Sequence, residues 1–240
     1  MAPEIVVDKP ESLAARLAAR LEGAAAHAVA ARGRFAVALP GGSVATRFFP
    51  ALAAAGVDWS RTEFFWGDER AVPADDPDSN FGVARALWLE TAAVPGERIH
   101  RMEAERVDIE AAAADYAREM VRVLGDPPRL DVALLGVGPD GHVCSLFPGH
   151  EALREEARWV VAVLDSPKPP SRRLTLTLPT LAAARSVIVV AVGSAKAPVL
   201  GQALAESSPD SPLTLVSRRA NRVTFLLDAA AAANVVLSAH

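Results

Sequence analysis

The chain has one cysteine, Cys144, among its 240 residues, so an intrachain disulfide is excluded. A lone thiol fits a reducing cytoplasm. No stretch approaches the roughly 20 apolar residues of a membrane span. The first residues, MAPEIVVDKPE, are too polar for the apolar region of a secretory signal. The expected location is therefore the cytoplasm, with no membrane partner. No long basic run is present and the net charge is −4, which argues against a nucleic-acid partner. Local basic pockets for an anionic small molecule are still allowed. There is no HExxH pattern and no cysteine cluster, so no metal site is expected.

Hydrophobic residues make up 51% of the chain, enough for a sizeable core. Strand candidates are Ile5 to Val7, Phe35 to Leu39, Thr62 to Trp66, residues 132–137, Trp159 to Leu164, Leu174 to Leu178, Val187 to Val192 and Val223 to Leu227. A helix capped by Asp8, with Pro10 in its first turn, runs to about Arg32. Its Leu13, Leu17 and Leu21 recur at the spacing of one helix face. Further helices follow Ser43 to about Ala55, run from a Ser79 cap through Leu89, from an Asp108 cap to about Leu124, and over Ala197 to Ala205. Alternating strands and helices imply a doubly wound, mostly parallel α/β sheet flanked by helices. No repeat or clean linker divides residues 1–240, so one domain is expected.

Chemistry concentrates where strands end, the place open α/β sheets bind ligands. The apolar run 132–137 stops at Gly138-Pro139-Asp140-Gly141-His142, a tight turn with a carboxylate two residues before an imidazole. Imidazole suits proton transfer near neutral pH. A solvated loop histidine would look the same. Pro40-Gly41-Gly42-Ser43 opens a helix, where backbone N–H groups can face an anion. It equally suits a plain strand-to-helix turn with a serine cap. It lacks the Walker A lysine and the GxGxxG spacing, so a small phosphate ester fits better than a nucleotide. Gly67-Asp68-Glu69-Arg70 places three charges after the apolar Phe64-Phe65-Trp66. Arg70 can grip a phosphate or a developing oxyanion, or form a surface ion pair. Lys196 begins a helix, where a bound phosphate would offset the dipole penalty. Arg172 and Arg173 precede a strand; Arg173 is the better anion candidate. His27, His100, His150 and His240 lack such a setting, Cys144 reads as a small buried side chain rather than a nucleophile, and Trp66 and Trp88 read as core.

These segments resemble the 6-phosphogluconolactonase family. Five stretches match in order: LPGGS from Leu39, GDERAVPADDPDSN from Gly67, GVGPDGHVCSLFP from Gly136, RLTLTLPTL from Arg173 and GSAKA from Gly193. The closing FLLDAAAA from Phe225 also matches, and Cys144 stands where that family usually has alanine. The resemblance implies hydrolysis of a sugar phosphate lactone, 6-phospho-D-glucono-1,5-lactone, with no metal or cofactor. It implies that His142 deprotonates a water and returns the proton to the ring oxygen, that Asp140 orients it, and that Arg70 meets the oxyanion or the phosphate. Gly41, Gly42, Ser43, Asp68, Arg173 and Lys196 would then bind substrate. Glucosamine-6-phosphate deaminase is the nearest alternative. It shares the DGH, but typically has DEY for DER and continues into a phenylalanine-asparagine-glutamate-proline segment where this chain has Ser145-Leu146-Phe147-Pro148. A catalytically dead sugar-phosphate sensor is disfavoured because His142 is present.

Overall fold

The structure is a computed structural model that describes residues 2–205 and 211–236; His240 lies outside them. Among the described residues nine strands form two sheets: β1 (Glu4–Val7), β2 (Phe35–Leu39), β3 (Thr62–Trp66), β4 (Asp68–Arg70), β5 (Val132–Leu135), β6 (Val160–Val163), β7 (Arg173–Leu176), β8 (Ser186–Ala191) and β9 (Val223–Leu227). Seven α-helices accompany them among the described residues: α1 (Pro10–Arg32), α2 (Gly42–Ala53), α3 (Asn80–Ala84), α4 (Ile109–Leu124), α5 (Leu178–Ala183), α6 (Ala197–Leu204) and α7 (Pro212–Arg219). The main sheet runs β1-β9-β8-β5-β2-β3, with every neighbouring pair parallel. β2, β3, β5 and β9 are buried along their whole length, as strands covered on both faces are. Leu13, Leu17 and Leu21 of α1 are fully buried in the same core.

The winding fixes where a ligand can bind. The chain steps from β2 outward to β3, then crosses back to β5 on the other side of β2 and continues through β8 to β9. The direction reverses between β2 and β5, and the crevice at such a reversal is the usual ligand site. The Pro40 to Ser43 loop and the Asp140–His142 loop leave adjacent strands there.

The structure corrects several details of the expected fold. Residues 68–70, expected as loop, pair with β7, and β7 pairs with β6, giving a separate antiparallel sheet in the order β4-β7-β6. The link from Val163 to Arg173 carries no helix, and parallel pairing needs a crossover of roughly a dozen residues or more. Leu178 begins α5 rather than ending a strand, because Pro179 starts a helix readily and cannot donate to a ladder. The strand expected over 132–137 ends at Leu135, because the backbone then turns into the site loop. α7 was not foreseen. Asp8 does not cap α1: Lys9 holds the cap position, while Asp8 accepts from the Lys9 N–H and pairs with Arg16. Ser79 and Asp108 do cap, accepting from Gly82 N and Ala111 N. After α3 the helix continues over Arg85–Leu89 with wider π-type turns.

Glu69 ties the small sheet to α3. Its Oε1 accepts from the N–H groups of Arg70 and Asn80, both at 2.8 Å. Its Oε2 accepts from Phe81 N at 2.7 Å and Ser79 Oγ at 3.2 Å. Burial pushes this carboxyl up to about 7, against the N–H donors of Phe81, Asn80 and Arg70, which favour the ion. The folded value lies above the ordinary 4.5, so between those values the folded chain binds more protons than the unfolded one, and this group's contribution falls as pH rises. Glu69→Gln turns an amide donor toward a backbone donor. It should destabilise the fold by about 1–3 kcal/mol and flatten the decline in stability between about pH 4.5 and 7. Thermal melts across that window check this; an unchanged Tm throughout would contradict the clasp.

Candidate active site

The loops after β2, β3, β5 and β8 enclose a cavity of about 200 Å³. Every candidate from the sequence except Asp140 lines it: Gly41, Gly42, Ser43, Asp68, Arg70, His142, Arg173 and Lys196. Larger hollows, of about 430 to 540 Å³, lie elsewhere among the described residues and contain none of these side chains.

The imidazole of His142 is fixed through one edge. Its Nδ1 lies 2.5 Å from Asp140 Oδ1. Asp140 is an acceptor, so Nδ1 carries the hydrogen and Nε2 keeps its lone pair. Among the described residues Nε2 has no protein partner. The turn is closed by Gly138 N donating to His142 O at 2.9 Å and Gly141 N donating to Gly138 O at 3.0 Å. Gly141 takes the left-handed conformation, φ 84°. Gly138 is needed for space, since a Cβ there would collide with the imidazole itself. The Phe147 ring packs 4.8 Å from the imidazole. Burial lowers the His142 pKa, although the Asp140 hydrogen bond and charge pull it upward. For Asp140, burial works upward, but hydrogen bonds from His142 and Lys168 outweigh it and hold the carboxyl at about 2.

Lys168 is the residue that sequence reasoning missed. Its Nζ stands 3.0 Å from Asp140 Oδ2 and 3.1 Å from His142 Nδ1. It belongs to the proline-rich segment Ser166 to Ser171, which reads from sequence as a plain connecting loop. The only signal was a single lysine between prolines, just before the RLTL strand.

Arg173, expected at the phosphate, is largely occupied by that loop. Its Nε donates to Pro170 O at 2.9 Å, and Nη2 donates to Lys168 O at 3.1 Å and Pro169 O at 3.0 Å. Nη1 reaches Ser145 Oγ at 3.4 Å and lies 3.8 Å from Asp68. Asp68 is buried, accepting from Ser145 Oγ at 2.6 Å and from Asn80 Nδ2 at 3.3 Å. Its carboxylate thus joins three loops rather than standing free. Arg70 donates from Nη1 to Asp78 O at 2.7 Å, and its buried Nε has no partner among the described residues.

The opposite wall carries donors and a cation. Gly41 precedes α2, with no side-chain cap, and Gly42 takes φ 62°. The first N–H groups of such a helix have no partners within it. A Cβ on Gly41 would collide with the Asn80 amide, so only glycine fits. Ser43 is exposed in the first turn. Lys196 precedes α6, and its ammonium has no hydrogen bond or ion pair among the described residues. Burial, then the nearby Lys168 charge, lowers its pKa, with Asp140 pulling the other way.

Other candidates sort as packing. Burial pushes the Cys144 thiol well up, so it is no ready nucleophile. Trp66 and Trp88 are fully buried. His100 lies away from the cavity, buried between Glu63 Oε2 at 2.9 Å and Glu119 Oε1 at 2.8 Å, a structural setting rather than a strand-end one. The sequence could not show this, because both carboxylates come from distant segments. His150 accepts from Ala152 N and pairs with Asp165.

The chain is similar to known proteins along nearly its whole length. Residues 8–225 match the family model described as glucosamine-6-phosphate isomerases/6-phosphogluconolactonase. The chain is 39% identical to a 6-phosphogluconolactonase of Streptomyces coelicolor, covering 99% of this chain and 97% of the relative. It is 42% identical to the 6-phosphogluconolactonase of Rattus norvegicus, covering 95% and 91%. Among solved structures it superposes on 6-phosphogluconolactonase from Trypanosoma cruzi with a TM-score of 0.88 at 29% identity, covering 99% of each chain. The protein therefore belongs to the glucosamine-6-phosphate isomerase/6-phosphogluconolactonase family.

Proposed function

We propose that the protein hydrolyses 6-phospho-D-glucono-1,5-lactone to 6-phospho-D-gluconate, the lactone step of the oxidative pentose phosphate pathway. The observation that carries this reading is the fixed tautomer of His142: Nδ1 is held by Asp140, and Nε2 is left as a base beside an anion-binding wall. Nε2 takes a proton from a water as its oxygen adds to the lactone carbonyl carbon. The tetrahedral intermediate then collapses, and the imidazolium returns that proton to the ring oxygen as the bond to it breaks. Arg70 meets the developing oxyanion or the phosphate. The Gly41-Gly42-Ser43 turn and Lys196 hold the phosphate, and that remote binding orients the carbonyl. Asp68 orders the floor of the site. An ester activated in this way needs neither metal nor cofactor.

The deaminase reading is less well supported. In the deaminase pattern a glutamate occupies the position of Phe147, and here the phenylalanine ring lies against His142 instead. The two sheets share one apolar core, consistent with a single domain. No helix among the described residues is long and apolar enough to cross a membrane. A cytoplasmic enzyme acting on a small sugar phosphate, with no nucleic-acid partner, fits these features and the net charge of −4.

The purified protein should hydrolyse the phosphorylated lactone faster than its spontaneous rate and release no ammonia from glucosamine 6-phosphate. Parallel coupled assays decide; ammonia release without lactone hydrolysis would promote the deaminase. His142→Gln should lower kcat by about 10²–10⁴-fold with little change in affinity for 6-phosphogluconate. Because only neutral imidazole is a base and burial lowers its pKa, kcat/KM should hold through pH 6.5 and fall only further to the acid side. A fall beginning above that pH, or near-normal turnover by His142→Gln, would refute the assignment of the base.

A further inference from the structure

We propose that Lys168 is a positioning residue of the lactonase reaction: its ammonium clasps Asp140, and through that carboxylate it holds the imidazole of His142 in its basic tautomer. This rests on the lactonase reading above.

The geometry supplies the argument. Asp140 is bound from both sides, by His142 through Oδ1 and by Lys168 through Oδ2. A carboxylate pinned at both oxygens cannot rotate, so the imidazole it holds is fixed in plane and direction. Lys168 is also close enough to Nδ1 for its charge to oppose a second proton on the ring. The loop that delivers it is anchored independently. Three backbone carbonyls, of Lys168, Pro169 and Pro170, accept from Arg173, and Ser166 Oγ bridges Lys168 N and O. This many bonds to a nine-residue surface link exceed what a passive connection between β6 and β7 requires.

The groups facing His142 come from several elements. Asp140 lies on its own loop, Asp68 on β4 and Lys168 on the link before β7. Burial is the largest influence and lowers the imidazole; Asp140 and Asp68 raise it, and Lys168 lowers it. Arg70, Arg173 and Lys196 line the same cavity. Removing the Lys168 charge therefore favours the imidazolium. It also leaves Asp140 paired with His142 alone, which acts in the same direction.

The test compares Lys168→Met and Lys168→Arg with the wild type, all confirmed folded by circular dichroism. The pH profile of kcat/KM on the phosphorylated lactone is measured together with the titration of His142 by ¹⁵N NMR. In Lys168→Met the acid limb and the His142 titration should both move to higher pH. Its kcat should fall roughly 10- to 100-fold, the scale of a lost charged hydrogen bond, with KM little changed. Lys168→Arg should recover most of both effects. The NMR titration does not depend on the substrate, so a wild type inactive on the lactone would refute the lactonase reading, not this one. An unmoved titration in Lys168→Met, or a loss confined to KM, would overturn the positioning role.

Discussion

The hydrogen bond between Asp140 and His142 is the contact on which the rest of the site depends. At 2.5 Å it decides which ring nitrogen carries the proton, and so which can take one. Neither residue could hold that geometry unaided. The turn needs Gly141 in a left-handed conformation and Gly138 without a side chain. It needs the Phe147 ring as a wall and β5 as a rigid base. The strand order then sets the carboxyl end of β5 beside that of β2, so the base faces the helix start that can receive a phosphate. Fold and chemistry meet at the reversal of the sheet winding.

Much of the charge around the cavity serves the loops rather than the ligand. Glu69 gathers backbone donors at the start of α3. Asp68 joins the β4 segment, Ser145 and Asn80. Arg173 directs most of its donors into the link that carries Lys168. Each group is largely desolvated and would be costly without these partners. Among the described residues, the groups in the cavity left without protein partners include His142 Nε2, Arg70 Nε, the Lys196 ammonium and the N-terminus of α2. Those are the features expected of a surface for an ester at one end and a phosphate at the other. The shared partners also couple the loops, so a change in Arg173 reaches His142 through Lys168 without touching the imidazole.

The sequence revealed the parts of this arrangement that are local in the chain. The Asp140–His142 turn, the Gly41-Gly42 helix start, the Ser79 and Asp108 caps and the buried strands all follow from patterns within a few residues. The antiparallel sheet was not legible, because pairing of residues 68–70 with Arg173–Thr175 joins segments about a hundred residues apart; the alternation in Arg173–Leu176 marks a strand but does not name its partner. Lys168 was missed for a related reason. Its role comes from Asp140, in another loop, and from Arg173, whose guanidinium reads from sequence as a ligand for phosphate. His100 shows the same limit, being buried by carboxylates from β3 and α4.

The central claim is one of direction: the ester end of the substrate meets His142 Nε2 while the phosphate rests on the Gly42–Ser43 turn and Lys196. The most direct test is a crystal structure of the protein with 6-phospho-D-gluconate bound. The account predicts the carboxylate of the product within hydrogen-bonding distance of Nε2, and phosphate oxygens on the α2 N-terminus and Lys196 Nζ. The product bound in reverse, with phosphate against His142 and carboxylate at Lys196, would contradict it.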